Sequence, residues 1–129
     1  MTRRRSVEID GVTHGNMPVP QGSRIDQFVF SSGIAGIDPE TGLIPDDPRR
    51  QVQLVFQNMR SFMEVAGGTP DDIGRITVYL QDEEYRDLVN EEWIKMFPNP
   101  ESRPARHTAV KDLRRGALVQ VELIAVLPW

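Results

Sequence analysis

The chain has 129 residues, with 15 basic and 19 acidic side chains for a formal net charge of −4, and it has no cysteine. A length of this order suits one domain that buries about two-thirds of its unfolded surface, so residues 1–129 read as a single domain held by packing alone. The lack of cysteine excludes disulfides, a thiolate nucleophile and cysteine-built zinc or iron–sulfur sites, and it suits a reducing, cytoplasmic setting. The acidic balance speaks against a nucleic-acid partner, and no run approaches the roughly 20 apolar residues that would predict a membrane span.

The N-terminus, MTRRRSVEIDG, carries arginines without an apolar run of about 7–15 residues behind them. Residues 1–10 therefore read as a partly flexible basic tail, with a short strand candidate around Ser6–Ile9. Thr13–Ser23 holds two prolines among glycine and serine and predicts a loop. The apolar run Gln27–Ser32 predicts a strand, and Gly33, Gly36 and the segment Asp38–Gly42 predict a turn after it. From Asp47 the period changes: Val52, Val55, Phe56, Met59, Phe62, Met63 and Ala66 fall on one helical face. Asp46 or Asp47 can cap that helix, Pro48 suits its first turn and Gly67-Gly68 ends it.

Ile76, Val78 and Leu80 alternate with polar neighbours as a half-buried strand does. A second helix is predicted from about Glu83 to Phe97, with Tyr85, Leu88, Val89, Trp93, Met96 and Phe97 inward and Pro98 and Pro100 beyond its end. Arg106–Lys111 and Ala117–Leu127 predict two strands joined at DLRRG, in the simplest arrangement an antiparallel hairpin. The order β-β-α-β-α-β-β is that of an α+β domain, a sheet with two helices on one face. In the last strand Val119, Val121, Leu123 and Ala125 share one face, whereas Leu118, Ile124 and Val126 lie on the other. A second apolar face calls for a cover, and an oligomer supplies it.

Glu122 sits on that second face beside Gln120 and Ile124. A carboxylate on such a strand needs a partner or water, so it is either half of a structural ion pair or a carboxylate set at a pocket to handle water and protons. Arg106, stiffened by Pro104, begins the neighbouring strand of the expected hairpin; its planar guanidinium suits bidentate recognition of a carboxylate. That anion is Glu122 itself or a substrate, and spacing leaves both open. His107 should face away from Arg106 and reads as structural or as a subunit contact, and Arg103 as a solvated or intersubunit charge. His14 lies in the loop without a spaced carboxylate, so the metal signal is weak. Ser32 in SSG lacks the surroundings of a nucleophile elbow, and Gly33 and Gly36 lead to a turn rather than to a phosphate-binding helix start.

Six segments, in order and spacing, resemble the RidA/YjgF family over nearly the whole chain after the first ten or so residues: QG at Gln21-Gly22, FSSGIAGIDPETGLIP at Phe30–Pro45, MEVAGGTPDDI at Met63–Ile73, LVNEEW at Leu88–Trp93, RPARHTAV at Arg103–Val110 and VQVELIAV at Val119–Val126. The resemblance implies a chorismate-mutase-like fold, a homotrimer with pockets at its subunit interfaces, and hydrolytic deamination of reactive 2-imino or 2-enamino acids without cofactor or metal. It assigns the substrate-carboxylate arginine to Arg106 and the water-handling glutamate to Glu122, with Asn90, Ser32 and Gly33 at pocket positions. Two positions depart from the family pattern. Val19 stands where deaminase-type members carry tyrosine, which removes a hydroxyl from the site. Thr108 stands where many carry cysteine, and it keeps the backbone carbonyl. A non-catalytic carboxylate-binding module is the alternative that Val19 raises. An endoribonuclease or translation inhibitor is a third reading, against which the acidic balance weighs.

Overall fold

The computed structural model describes residues 3–129. Seven strands and two helices follow the chain as β1 (Arg4–Val7), β2 (Gly22–Ile25), β3 (Phe28–Ser31), β4 (Ile34–Ala35), α1 (Pro48–Ala66), β5 (Ile73–Leu80), α2 (Arg86–Met96), β6 (Ala105–Val110) and β7 (Val119–Val126). The sheet runs β1-β2-β3-β7-β5-β6, with β4 also paired to β7. It is mixed: β5 and β6 are parallel, and the other pairings are antiparallel. This is the expected α+β class, enlarged by two short strands.

The two apolar stripes meet on one sheet face. Val52, Val55, Met59, Phe62 and Met63 of α1 and Val89 and Trp93 of α2 bury against Val29, Ile76, Val78, Leu80, Val121 and Leu123. Pro48 opens α1, and Gly67, in the left-handed region at φ 99, closes it by donating its amide to Met63 and Glu64 carbonyls; that backbone conformation is cheap only without a Cβ. Asp47 stands at the N-cap with no side-chain bond to the helix. Two buried amides fasten loops to α1. Asn58 Nδ2 donates to the Ala35 and Ile37 carbonyls at 3.0 and 2.9 Å, and Gln51 Nε2 donates to the Pro45 and Gly116 carbonyls.

Four expectations are corrected. The C-terminal strands do not form a hairpin: β5 lies between β6 and β7 and pairs with both. A β5–α2–β6 crossover buries the stripe of α2 on the sheet, and β7, apolar on both sides, takes a central place; the segment between β6 and β7 is long enough to step over one strand. The basic tail is an edge strand where it is described, Arg4–Val7 pairing with Gly22–Ile25, and Arg3 Nη2 meets Asp26 Oδ2 at 2.9 Å. Residues 1 and 2 of that expected tail lie outside the described residues. The loop expected over Thr13–Ser23 already contains the start of β2, which reaches β3 through a tight turn at Asp26, whose φ is 54. The second helix starts at Arg86, after a 3₁₀ turn at Glu83–Tyr85 that the Asp82 carboxylate caps at the amide of Glu84, 2.9 Å away.

The other sheet face carries Phe28, Phe30, Ile124 and Val126, each between 39% and 49% exposed. That matches the second apolar face read from the sequence.

Candidate active site

Alternation on the strands sorts the candidate residues into two groups on opposite sides of the sheet. The register aligns Arg106 with Ile76 and Leu123, both buried on the helix side, and it aligns His107 with Thr77 and Glu122. Paired residues across a sheet point to the same face. Arg106 and Glu122 are thus two strands apart and face opposite ways. The expectation that they sit on adjacent strands fails with the hairpin, and Glu122 is not the anion of Arg106 within the chain.

On the helix side, at the β6 edge, Arg106 Nη1 donates to Asn90 Oδ1 at 2.8 Å and its Nε donates to Thr108 Oγ1 at 2.9 Å. The guanidinium carbon lies 5.0 Å from the centre of the Trp93 ring, which Phe97 steadies edge-on at 4.9 Å. Arg106 and Thr108 meet because they are two apart on a strand; Asn90 and Trp93 meet because they are three apart on a helix. Burial, and secondarily the positive charge of Arg86, pull the Arg106 guanidinium below its ordinary pKa. A guanidinium has five N–H donors, and these two bonds leave three for an anion. Half-buried, oriented by neutral acceptors and stacked on an indole, it is preorganised for a planar carboxylate.

On the open side, Glu122 Oε1 accepts a hydrogen bond from Tyr79 Oη at 3.0 Å. That bond is the largest cause of the raised pKa of Tyr79, ahead of burial and of the Glu122 charge. Lys111 Nζ stands 5.1 Å from the centre of the Tyr79 ring. Glu122 lines a shallow cavity of about 390 Å³ together with Phe30, Arg75, Thr77 and Ile124. The partner anticipated for Glu122 as half of an ion pair is thus a neutral phenol. Tyr79 was missed by the sequence reading, although its place two residues from Thr77 puts it diagonally across from Glu122.

The third element is the bend between β3 and β4, at Ser32 and Gly33. Ser32 donates its amide to the Gln21 carbonyl at 2.7 Å and its hydroxyl to the Pro20 carbonyl at 2.8 Å. His14 Nε2 bonds the Gly33 carbonyl at 3.1 Å, and Gln21 Nε2 bonds His14 Nδ1 at 3.2 Å. With one ring nitrogen on the Gly33 carbonyl and the other on the buried Gln21 amide, His14 serves as a strut for the bend. A Cβ on Gly33 would stand 2.3 Å from Gln120 Nε2, so glycine lets Gln120 lie across the backbone. Val19, 41% exposed, faces the same cleft as Ser32, Gly33 and Gln120, with a volume of about 370 Å³. Arg103, exposed, donates Nε to the Phe97 carbonyl at 2.9 Å, and His107 is exposed on the open side. No cluster of three or more potential metal ligands occurs among the described residues, and no described helix is long and apolar enough to cross a membrane.

Comparison with known proteins agrees with this architecture. The family described as Endoribonuclease L-PSP matches residues 17–127. A RutC family protein of Aquifex aeolicus is 34% identical over 110 residues, covering 84% of this chain and 88% of that one. Reactive Intermediate Deaminase A, chloroplastic, of Arabidopsis thaliana is 33% identical over 112 residues, covering 85% of this chain and 59% of that one. Among solved structures, E. coli TdcF with bound serine superposes with a TM-score of 0.85 at 27% identity, covering 95% of this chain and 98% of that one. The chain belongs to this family, the RidA/YjgF proteins.

Proposed function

We propose that this protein hydrolyses reactive 2-imino and 2-enamino carboxylic acids to 2-keto acids and ammonia, at sites formed where copies of the chain meet in a homotrimer. The observation that carries this reading is the division of the candidate residues. A guanidinium poised for a carboxylate, with Asn90 and Thr108, lies at one edge of the sheet; Glu122, Ser32 and Gly33 belong to the other face. One chain cannot bring them around one small molecule. A second copy packed on the apolar open face can, and that face needs covering in any case. The deaminase name of the Arabidopsis relative and the serine bound to E. coli TdcF support a small amino-acid-like substrate.

In this mechanism Arg106 grips the substrate carboxylate through two parallel hydrogen bonds and fixes the C=N carbon near a water. The Gly33 amide and the Thr108 backbone carbonyl orient the carboxylate and the nitrogen. Glu122 takes a proton from the water as its oxygen bonds to the iminium carbon and the C=N π pair moves to nitrogen. The same carboxyl then returns the proton to nitrogen, the C–N bond breaks with its pair leaving as ammonia, and the carbinolamine hydroxyl becomes the keto oxygen after losing its proton. Such acid–base help is commonly worth about 10²–10⁴-fold. Tyr79 holds Glu122 in place through its hydroxyl.

The test generates 2-iminobutyrate in situ with an amino-acid oxidase, traps it with semicarbazide and measures how far the protein lowers the trapped fraction. Wild type should lower it; Glu122→Gln should still bind 2-oxobutyrate yet turn over at least about 10²-fold more slowly. Equal loss of binding and turnover in Glu122→Gln would make Glu122 a structural residue. Binding of the keto acid by wild type without any imine turnover would favour the second reading, a non-catalytic carboxylate-binding module, for which Val19 in place of a hydroxyl is the supporting observation.

A further inference from the structure

Resting on the reading above, in which Arg106 takes the carboxylate next to the C=N group, we infer that the site is built for a dicarboxylic 2-imino acid, with Arg114 and Arg115 holding the distal anion. The cleft beside Ser32 and Gly33, about 370 Å³, is within the range of small-molecule pockets. Its walls are largely apolar, including Met17, Val19, Ile37 and Ile44. Arg114 and Arg115 also line it, and among the described residues lining it there is no aspartate or glutamate. In a chain of net charge −4, two cations facing an apolar cleft without a carboxylate make a local positive field, and low-dielectric walls strengthen it.

The turn that carries the two arginines is pinned. Buried Gln51, 1% exposed, donates Nε2 to the Gly116 carbonyl at 3.1 Å and accepts the Leu118 amide at 2.9 Å. The Ala117 amide closes back on the Arg114 carbonyl at 3.1 Å. Arg115 has φ 62, a left-handed conformation in which arginine is strained and asparagine or glycine is not, and Gly116 follows at φ 77. Arg115 Nη1 reaches no closer than 3.5 Å to the Thr13 carbonyl, a contact too long to occupy the guanidinium. The cleft therefore joins the reacting end, at Ser32 and Gly33, to a cationic end suited to a second carboxylate, while Val19, lacking a ring, leaves the passage between them open.

The test compares kcat/KM for 2-iminoglutarate, generated from glutamate by a glutamate oxidase, with kcat/KM for 2-iminobutyrate. Wild type should prefer the dianion by about tenfold or more, the effect of one charge-assisted contact. The double variant Arg114→Gln with Arg115→Asn keeps a residue tolerant of the left-handed backbone, and its preference should fall to near one. A wild-type ratio near one, or a ratio unchanged in the variant, would overturn the distal site while leaving imine hydrolysis standing. If wild type turns over neither imine, the hydrolase reading fails and calorimetry decides the distal site. About tenfold tighter binding of 2-oxoglutarate than of 2-oxobutyrate, lost in the double variant, supports it, and equal affinities overturn it.

Discussion

If Arg106 and Glu122 reach one substrate only across a contact between copies, two inactive variants should repair each other. Arg106→Ala and Glu122→Gln are each expected to be inactive: the first loses two charge-assisted hydrogen bonds at about 1.5–3 kcal/mol each, a loss of about 10²–10⁴ in kcat/KM. On that reading each chain contributes its Arg106 to one site and its Glu122 to another, since the two residues face opposite ways from the same sheet. When the variants are unfolded together in equal amounts and reassembled at random, a site takes an intact Arg106 with probability one-half and an intact Glu122 with probability one-half. Activity should therefore return to about a quarter of wild type in any closed symmetric assembly whose sites span two copies. The semicarbazide-trapping assay reads the result, and the separately refolded variants are its controls. A mixture no more active than its components, with reassembly shown by sedimentation, would refute the divided site.

Gly22→Ala should lower Tm markedly, because its Cβ would stand 2.4 Å from both the Phe30 carbonyl oxygen and the buried Phe62 ring; overpacking of this kind costs about 1–3 kcal/mol, measured by chemical denaturation. Asn58→Ala leaves two buried carbonyls, of Ala35 and Ile37, without their donor, and should destabilise by about 2 kcal/mol on the same measurement. Tyr79 has a raised pKa, mainly from its bond to Glu122, so the folded chain holds the phenol proton at a pH where the unfolded chain has lost it. The stability linked to that proton is fully present below the ordinary tyrosine value of 10.0 and is lost as pH rises from there through the folded value. Denaturation midpoints across that alkaline window and the phenolate absorbance check it, and Glu122→Gln should bring the Tyr79 transition back toward lower pH.

Periodicity made both helices legible: the stripe of α1 and the stops at Gly67 and Pro98 needed only local rules. Alternation made β5 and β7 legible, and the apolar residues on both sides of β7 announced the open face. Strand order was not legible, because a hairpin and a crossover place the same alternation on the same strands. Only the packing of α2, which fills the crossover between β5 and β6, decides between them. β2 and β4 escaped notice because GSRI and IA are too short and mixed to show a period. Arg106 and Glu122 stand out from their strand context, whereas their roles, and the places of Asn90, Ser32 and Gly33 at a pocket, come from the family resemblance. That Tyr79 holds a carboxylate and that Trp93, expected in the core, carries a guanidinium depends on which side chains cross the sheet and the helix, which no window of sequence contains.

On the proposed reading, the exposed apolar face and the incomplete site are one surface. Ile124 and Val126 lie on the strand that bears Glu122, with Phe28 and Phe30 paired beside them on β3, so whatever covers them also determines what faces that carboxylate. Covering by another copy dehydrates Glu122 and its Tyr79 partner, which strengthens both their bond and any interaction with a bound iminium, since charges interact more strongly away from water. The Arg106 edge needs no such completion for its own order, because Asn90, Thr108 and Trp93 already fix it within one chain. Ile124→Asp places a charge in the covering contact two residues along the strand from Glu122, at the next position on the same face, and it should convert the assembly to monomers on sedimentation while sparing the helical core. Such a monomer should retain the Arg106 cluster and lose imine turnover. A monomer that hydrolyses 2-iminobutyrate at the wild-type rate would show that one chain suffices and that Glu122 does not work in concert with the Arg106 of another copy.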